Sequence, residues 1–226
     1  MPFSLSGRNL YSLLDINVAQ VVIAFIVLLF SLTVHETAHA WTANRLGDPT
    51  ARLLGRVSLN PVVHADLIGT VVFPLVALAS GVPLIGWAKP VPVNARRLRN
   101  PRRDFMLVAA AGPASNLVMA FAAASVLAIL PVSPLVLGEP NVSVPIATFL
   151  RIAVQLNLLL AVFNMMPIPP LDGGNVLSGL LPAGLAAQYD RIRPYGFLLI
   201  YALILTKGYY YFVITPYLFL RSWLPY

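Results

Sequence analysis

The run from Ile16 to Ala43 constrains this chain more than any other stretch. It contains VVIAFIVLLFSL, is long enough to cross a bilayer with some tilt, and carries HETAHAW at residues 35–41. Two histidines and a glutamate therefore stand where such a helix should present hydrocarbon. The surrounding composition shows that the solvent is lipid. Only 10% of the 226 residues are charged and 58% are hydrophobic, whereas soluble domains carry about a quarter charged residues. So little polar surface cannot cover a water-facing exterior. The expected fold class is an all-α integral membrane protein, a polytopic helical bundle forming one domain over residues 1–226.

Four further apolar regions follow. Residues 66–87 are broken by Pro74, Gly81 and Pro83, residues 105–130 are rich in alanine, and Pro145 to Met166 carries Arg151, Gln155, Asn157 and Asn164. After a short helical stretch near 174–188, the last region, 195–220, is interrupted at Lys207 and Gly208, as one tilted span or two shorter pieces. No cleavage site separates the first run from HETAHAW, so it reads as a retained helix rather than a signal peptide.

Basic residues orient these segments. Arg45, Arg52 and Arg56 follow the first span, Lys89 and five arginines fall within 88–104, and Arg191 and Arg193 lie in 188–194, while 131–144 has no Lys or Arg. The positive-inside rule puts the three basic segments in the cytoplasm and 131–144 outside. The net charge of +7 then reflects topology, with the bilayer as partner and no nucleic acid. With both its flanks inside, 66–87 cannot cross once, and its Pro and Gly content suits a re-entrant element. The count is four to six membrane segments, in the plasma membrane.

HETAH fits H-E-x-x-H. On a helix, i and i+4 are about 40° apart around the axis and one turn apart along it, so His35 and His39 can reach one ion from one face, with Glu36 beside them to activate water. The structural alternative is a pair of histidines packing at a membrane boundary. Against it, ionisable groups on an apolar helix are costly and usually functional, and two of the three histidines fall in this motif. The chain has no cysteine, so a third ligand must be an acid or His64. Asp172 leads. It lies in FNMMPIPPLDGGN (163–175), where prolines and glycines break a helix, and the charge-based topology brings it to the same side as His35. His64, in NPVVHADLIGT, is the rival, since three histidines also make a reasonable zinc site.

HETAH, GPASN (112–116) and NMMPIPPLDGG (164–174), in this order, resemble the site-2 protease family of intramembrane zinc metalloproteases over roughly residues 20–180. The resemblance implies one Zn2+ per chain held by His35, His39 and Asp172, Glu36 as catalytic base, and Asn164 positioning substrate or stabilising the oxyanion. Gly112 and Asn116 are expected to be packing residues. Pro169 stands where many members have an asparagine, the motif helix comes first in the chain, and no PDZ or nucleotide-sensing domain is expected.

The implied function is hydrolysis of a peptide bond in or near a transmembrane segment of a membrane-protein substrate, with the active site near the cytoplasmic side. Because a substrate helix must be extended before attack, GWAKPVPVN (86–94) is a candidate short β edge for it, or a plain surface loop. Two alternatives stay open. One is a small transporter or channel with Arg151, Gln155, Asn157 and Asn164 along a polar path, although these residues equally suit interhelical hydrogen bonding. The other is a catalytically silent zinc-binding membrane protein.

Overall fold

The computed structural model describes residues 18–73, 76, 88–130 and 143–225. Regular structure among these residues is entirely helical. Helix α1 runs Val18–Arg45, and Arg45 in its last turn complements the negative end of the helix dipole. The chain leaves it through Gly47, whose φ of 113° lies in the left-handed region that favours glycine. Two short helices follow, α2 at Thr50–Leu53 and α3 at Pro61–His64. Asn60 caps α3 by accepting the Val62 N–H, and Pro61 supplies a preset φ at the first position.

Of the apolar segment 66–87, the described part opens with a π-helical turn at Leu67–Val72, capped by Asp66, which accepts from Ile68 and Gly69. Residues 74–75 and 77–87, on which the re-entrant expectation turns, lie outside the described residues. From Ala88 to Asn94 the chain is non-helical and forms no strand, and no strand occurs among the described residues.

Helix α4 spans Pro101–Ile129, with Asp104 in its first turn accepting the Asn100 N–H. Helix α5 spans Ser143–Asn164 and stops ahead of Pro167, Pro169 and Pro170, which cannot extend it. Two shorter helices, α6 at Asp172–Leu180 and α7 at Ala183–Tyr189, lead through a 3-10 turn into α8 at Gly196–Leu205. Lys207 takes φ 59°, and the chain then turns through a π-helical stretch into α9 at Thr215–Arg221.

Three helices are long and apolar enough to cross a membrane: Ala19–Arg45, Pro101–Ile129 and Val144–Asn164. A fourth crossing is available if Ala183–Leu205 and Tyr210–Arg221, bent by 94°, act as one broken span. The described residues thus supply three or four spans, against the four to six membrane segments drawn from the sequence. The ambiguity at 195–220 resolves into two pieces with a sharp bend at Lys207.

Helices α1, α4 and α5 pack mutually, and α6 rests on α4. The α4–α5 contact uses Ala120 and Ala124 against Val154 and Leu158. Small side chains let the backbones approach, which is how membrane helices gain packing without a hydrophobic driving force. Polar groups complete the join. Asn157 on α5 accepts from the Asn116 amide on α4 at 2.8 Å and donates to the Ser31 hydroxyl on α1 at 2.9 Å, all three side chains being buried.

Candidate active site

Helix α1 presents His35 and His39 on one face, both buried. Their rings meet edge-on, with the two Nε2 atoms 3.0 Å apart. Asp172, the first residue of α6, brings its Oδ2 to 3.1 Å from His35 Nε2 and 3.4 Å from His39 Nε2. The break between α5 and α6 makes this possible. A Cβ on Gly173 would come closer than 3.0 Å to the Met165 and Met166 carbonyls, so α6 can start only where glycine permits that approach.

These three side chains could hold a metal ion, and the spacing fits zinc. Nitrogen and oxygen ligands at about 2.0–2.1 Å from a tetrahedral zinc lie about 3.3 Å from one another, close to the 3.0, 3.1 and 3.4 Å found here. The histidine tautomers agree. His35 Nδ1 lies 2.6 Å from Asn116 Oδ1 and His39 Nδ1 lies 2.7 Å from the Val108 carbonyl. Both acceptors assign the proton to Nδ1, which leaves each Nε2 lone pair directed at the shared centre. Gly112 closes the arrangement from α4. A Cβ there would fall within 3.0 Å of both Nε2 atoms, in the space an ion would take.

Glu36 and Asn164 line the same cleft of about 320 Å³, together with Pro90, Val91, Phe105 and Asn175. One Glu36 oxygen, Oε2, accepts the Val91 N–H at 3.1 Å. Asn164 donates from Nδ2 to the Leu160 carbonyl of its own helix at 3.0 Å. His35, Glu36, His39, Asn164 and Asp172 therefore line one cavity.

His64 lies apart from the cluster. Its Nε2 is 2.8 Å from the Ser58 carbonyl and 3.3 Å from the Thr37 hydroxyl, on a different face of α1. Burial, with the Arg56 charge, holds its pKa below the usual histidine value against the opposing pull of the Ser58 carbonyl and Glu36. The metal-competent group among the described residues is His35, His39 and Asp172.

The sequence matches the model of peptidase family M50 over residues 23–138 and 133–206. The chain belongs to that family. Its relatives include the "Putative zinc metalloprotease YwhC" of Bacillus subtilis, 39% identical over 181 residues that cover 80% of this chain and 79% of that protein. The "Putative zinc metalloprotease Rip2" of Mycolicibacterium smegmatis is 28% identical over 80% of this chain and 65% of its own length. Rip2 of Mycobacterium tuberculosis is 34% identical over 64% of this chain and 52% of its own length. The chain thus spans about half to two thirds of the Rip2 proteins. No solved structure matches it. Membership in family M50, with apolar helices long enough to cross a bilayer, makes this a membrane zinc metalloprotease.

Sequence reasoning assigned Gly112 and Asn116 to packing alone. In this M50 chain Asn116 is the hydrogen-bond partner of a metal-competent histidine, and Gly112 packs against both histidines. GPASN carried the signal, but nothing local says which helix an asparagine will face.

Proposed function

We propose that this protease cuts a peptide bond in or near a transmembrane segment of a protein substrate, with His35, His39 and Asp172 as zinc ligands and Glu36 as general base. The observation that carries this reading is the convergence of three ligand atoms within 4.8 Å of one another, with both histidine Nδ1 atoms already committed elsewhere. Zinc bound there would supply Lewis acidity, lowering the pKa of water and polarising a peptide carbonyl. Glu36 keeps Oε2 on the Val91 N–H, so Oε1 is left to take the proton of the attacking water and to return it to the leaving nitrogen. Asn164 has spent one amide proton on Leu160. Its second can face a developing oxyanion or a substrate carbonyl across the cleft.

Residues 90–93 suit the docking of an extended substrate. Val91 and Val93 line the cleft beside Glu36. Among the described residues, the Val91 carbonyl and the Val93 N–H have no hydrogen-bond partner. A substrate segment pulled out of its helix could regain two backbone bonds there.

The transporter reading gains no support from α5. Arg151 and Gln155 are on its exposed side, and Asn157 is fully engaged between helices. The basic segments 95–102 and 175–193 meet at one end of the bundle, where Arg102 donates to the Ser178 carbonyl. By the positive-inside rule this end faces the cytoplasm; the plasma membrane is our proposed host for the chain.

Metal analysis of detergent-purified protein tests the ligand set. One zinc is expected in wild type, His64→Ala and Glu36→Gln, with loss in Asp172→Ala. Peptide cleavage should be absent in Glu36→Gln despite its zinc. Zinc lost only from His64→Ala, or full cleavage by Glu36→Gln, would refute the assignment.

A further inference from the structure

Among the described residues, Arg56 is a buried cation without an acidic partner. It is 6% exposed, and among the described residues no carboxylate lies within ion-pairing distance of it. Its guanidinium instead donates to backbone carbonyls, from Nη1 to Val63 on α3 and from Nη2 to Lys89 at 2.6 Å and Pro90 at 3.0 Å. Withdrawing a guanidinium from water for loop carbonyls alone is expensive, so the position of those carbonyls must matter.

The next residue in the chain shows why. Val91 donates its N–H to Glu36 Oε2 at 3.1 Å. Pro90 and Pro92 flank it and have no N–H to offer, so Val91 is the one donor between Lys89 and Val93. The segment is fastened on either side of this contact. The Lys89 N–H goes to the His64 carbonyl at 2.9 Å, and the Asn94 N–H goes to the buried carboxylate of Asp48 at 2.6 Å. Among the described residues, only Arg56 donates to the Lys89 and Pro90 carbonyls, directly ahead of the Val91 nitrogen.

We infer that Arg56 is a positioning residue for Glu36: by clamping the Lys89 and Pro90 carbonyls, it aims the Val91 N–H at Oε2 and leaves Oε1 turned to the reacting atoms. The inference rests on Glu36 being the general base. Its chemistry needs arginine, because a planar fork can hold carbonyls in two directions at fixed angles while an ammonium is a point donor.

The test uses the full-length, zinc-loaded protein in detergent, with a peptide that wild type is found to cut in a proteome-derived peptide mixture. Arg56→Lys, Val91→Pro and their combination are compared, with Arg52→Gln as an exposed-arginine control. Arg56→Lys should lower kcat roughly 10–100-fold with KM within about twofold, while zinc content and Tm stay at wild-type values. Val91→Pro should give a similar fall, and the double variant should be little worse than either single one, since both break the same path. Deuterium uptake in the peptide covering 89–93 should rise in Arg56→Lys. A wild-type kcat in Arg56→Lys, additive losses in the double variant, or a loss that tracks falling zinc or Tm would each overturn the inference. If zinc-loaded wild type cuts nothing, the peptidase reading itself fails. If it cuts and Arg56→Lys cuts equally well, only the role of Arg56 fails.

Discussion

Asn116 shows how one buried amide can serve two tasks. Its oxygen accepts a hydrogen bond from His35 Nδ1 at 2.6 Å, and its nitrogen donates to Asn157. Loss of such a partner typically weakens a metal site by 10–100-fold. Asn116→Ala should therefore bind zinc that much more weakly, measured by competition with a calibrated chelator, whereas substitution of the exposed Val118 should leave affinity unchanged. At this scale the sequence was legible where chemistry is local. H-E-x-x-H spacing names His35, Glu36 and His39 because a helix fixes their relation. Asp172 required an argument about sides of the membrane, since it is brought in by a chain break rather than a repeat. Arg56 and Val91 were not legible. Their contacts run through backbone atoms, which leave no mark on residue identity.

Helix α3 is four residues long, yet it seals its C-terminal residue against α1. His64 is 2% exposed, and its Nδ1 has no hydrogen-bond partner among the described residues. Burial holds it neutral, with a pKa below the ordinary 6.5. The unfolded chain therefore binds this proton first as pH falls. The His64 contribution to stability is whole above pH 6.5, declines as pH drops below that value, and levels off below the folded pKa. Thermal unfolding between pH 8 and 5 should show Tm falling with acid more steeply in wild type than in His64→Gln. Among longer elements, α1, α4 and α5 were legible to within a few residues, because runs of apolar residues mark them without help from tertiary context. The region 195–220 was ambiguous because hydropathy is blind to direction. The bend at Lys207 is a backbone event, φ 59° in a non-glycine residue. The stretch 86–94, read from the sequence as a candidate edge or a plain surface loop, is non-helical over its described part and forms no strand there, since its prolines remove ladder donors.

For the whole molecule, the grouping of the basic segments at one end of the bundle can be read directly, because the chain contains no cysteine. Single variants Arg97→Cys and Arg191→Cys, in sealed inverted vesicles, should both react with a membrane-impermeant maleimide. In intact spheroplasts neither should react until the membrane is permeabilised. Labelling of the two positions from opposite sides would break the topology. The division of the metal-competent group between α1 and α6 has a further effect during biogenesis. His35 and His39 leave the ribosome long before Asp172, and Asn116 and Asn157 arrive in between. A nascent chain inserted as far as α5 has two members of the metal-competent group and lacks the aspartate that completes it. Completion of the metal-competent group therefore waits until synthesis has passed the LDGG turn.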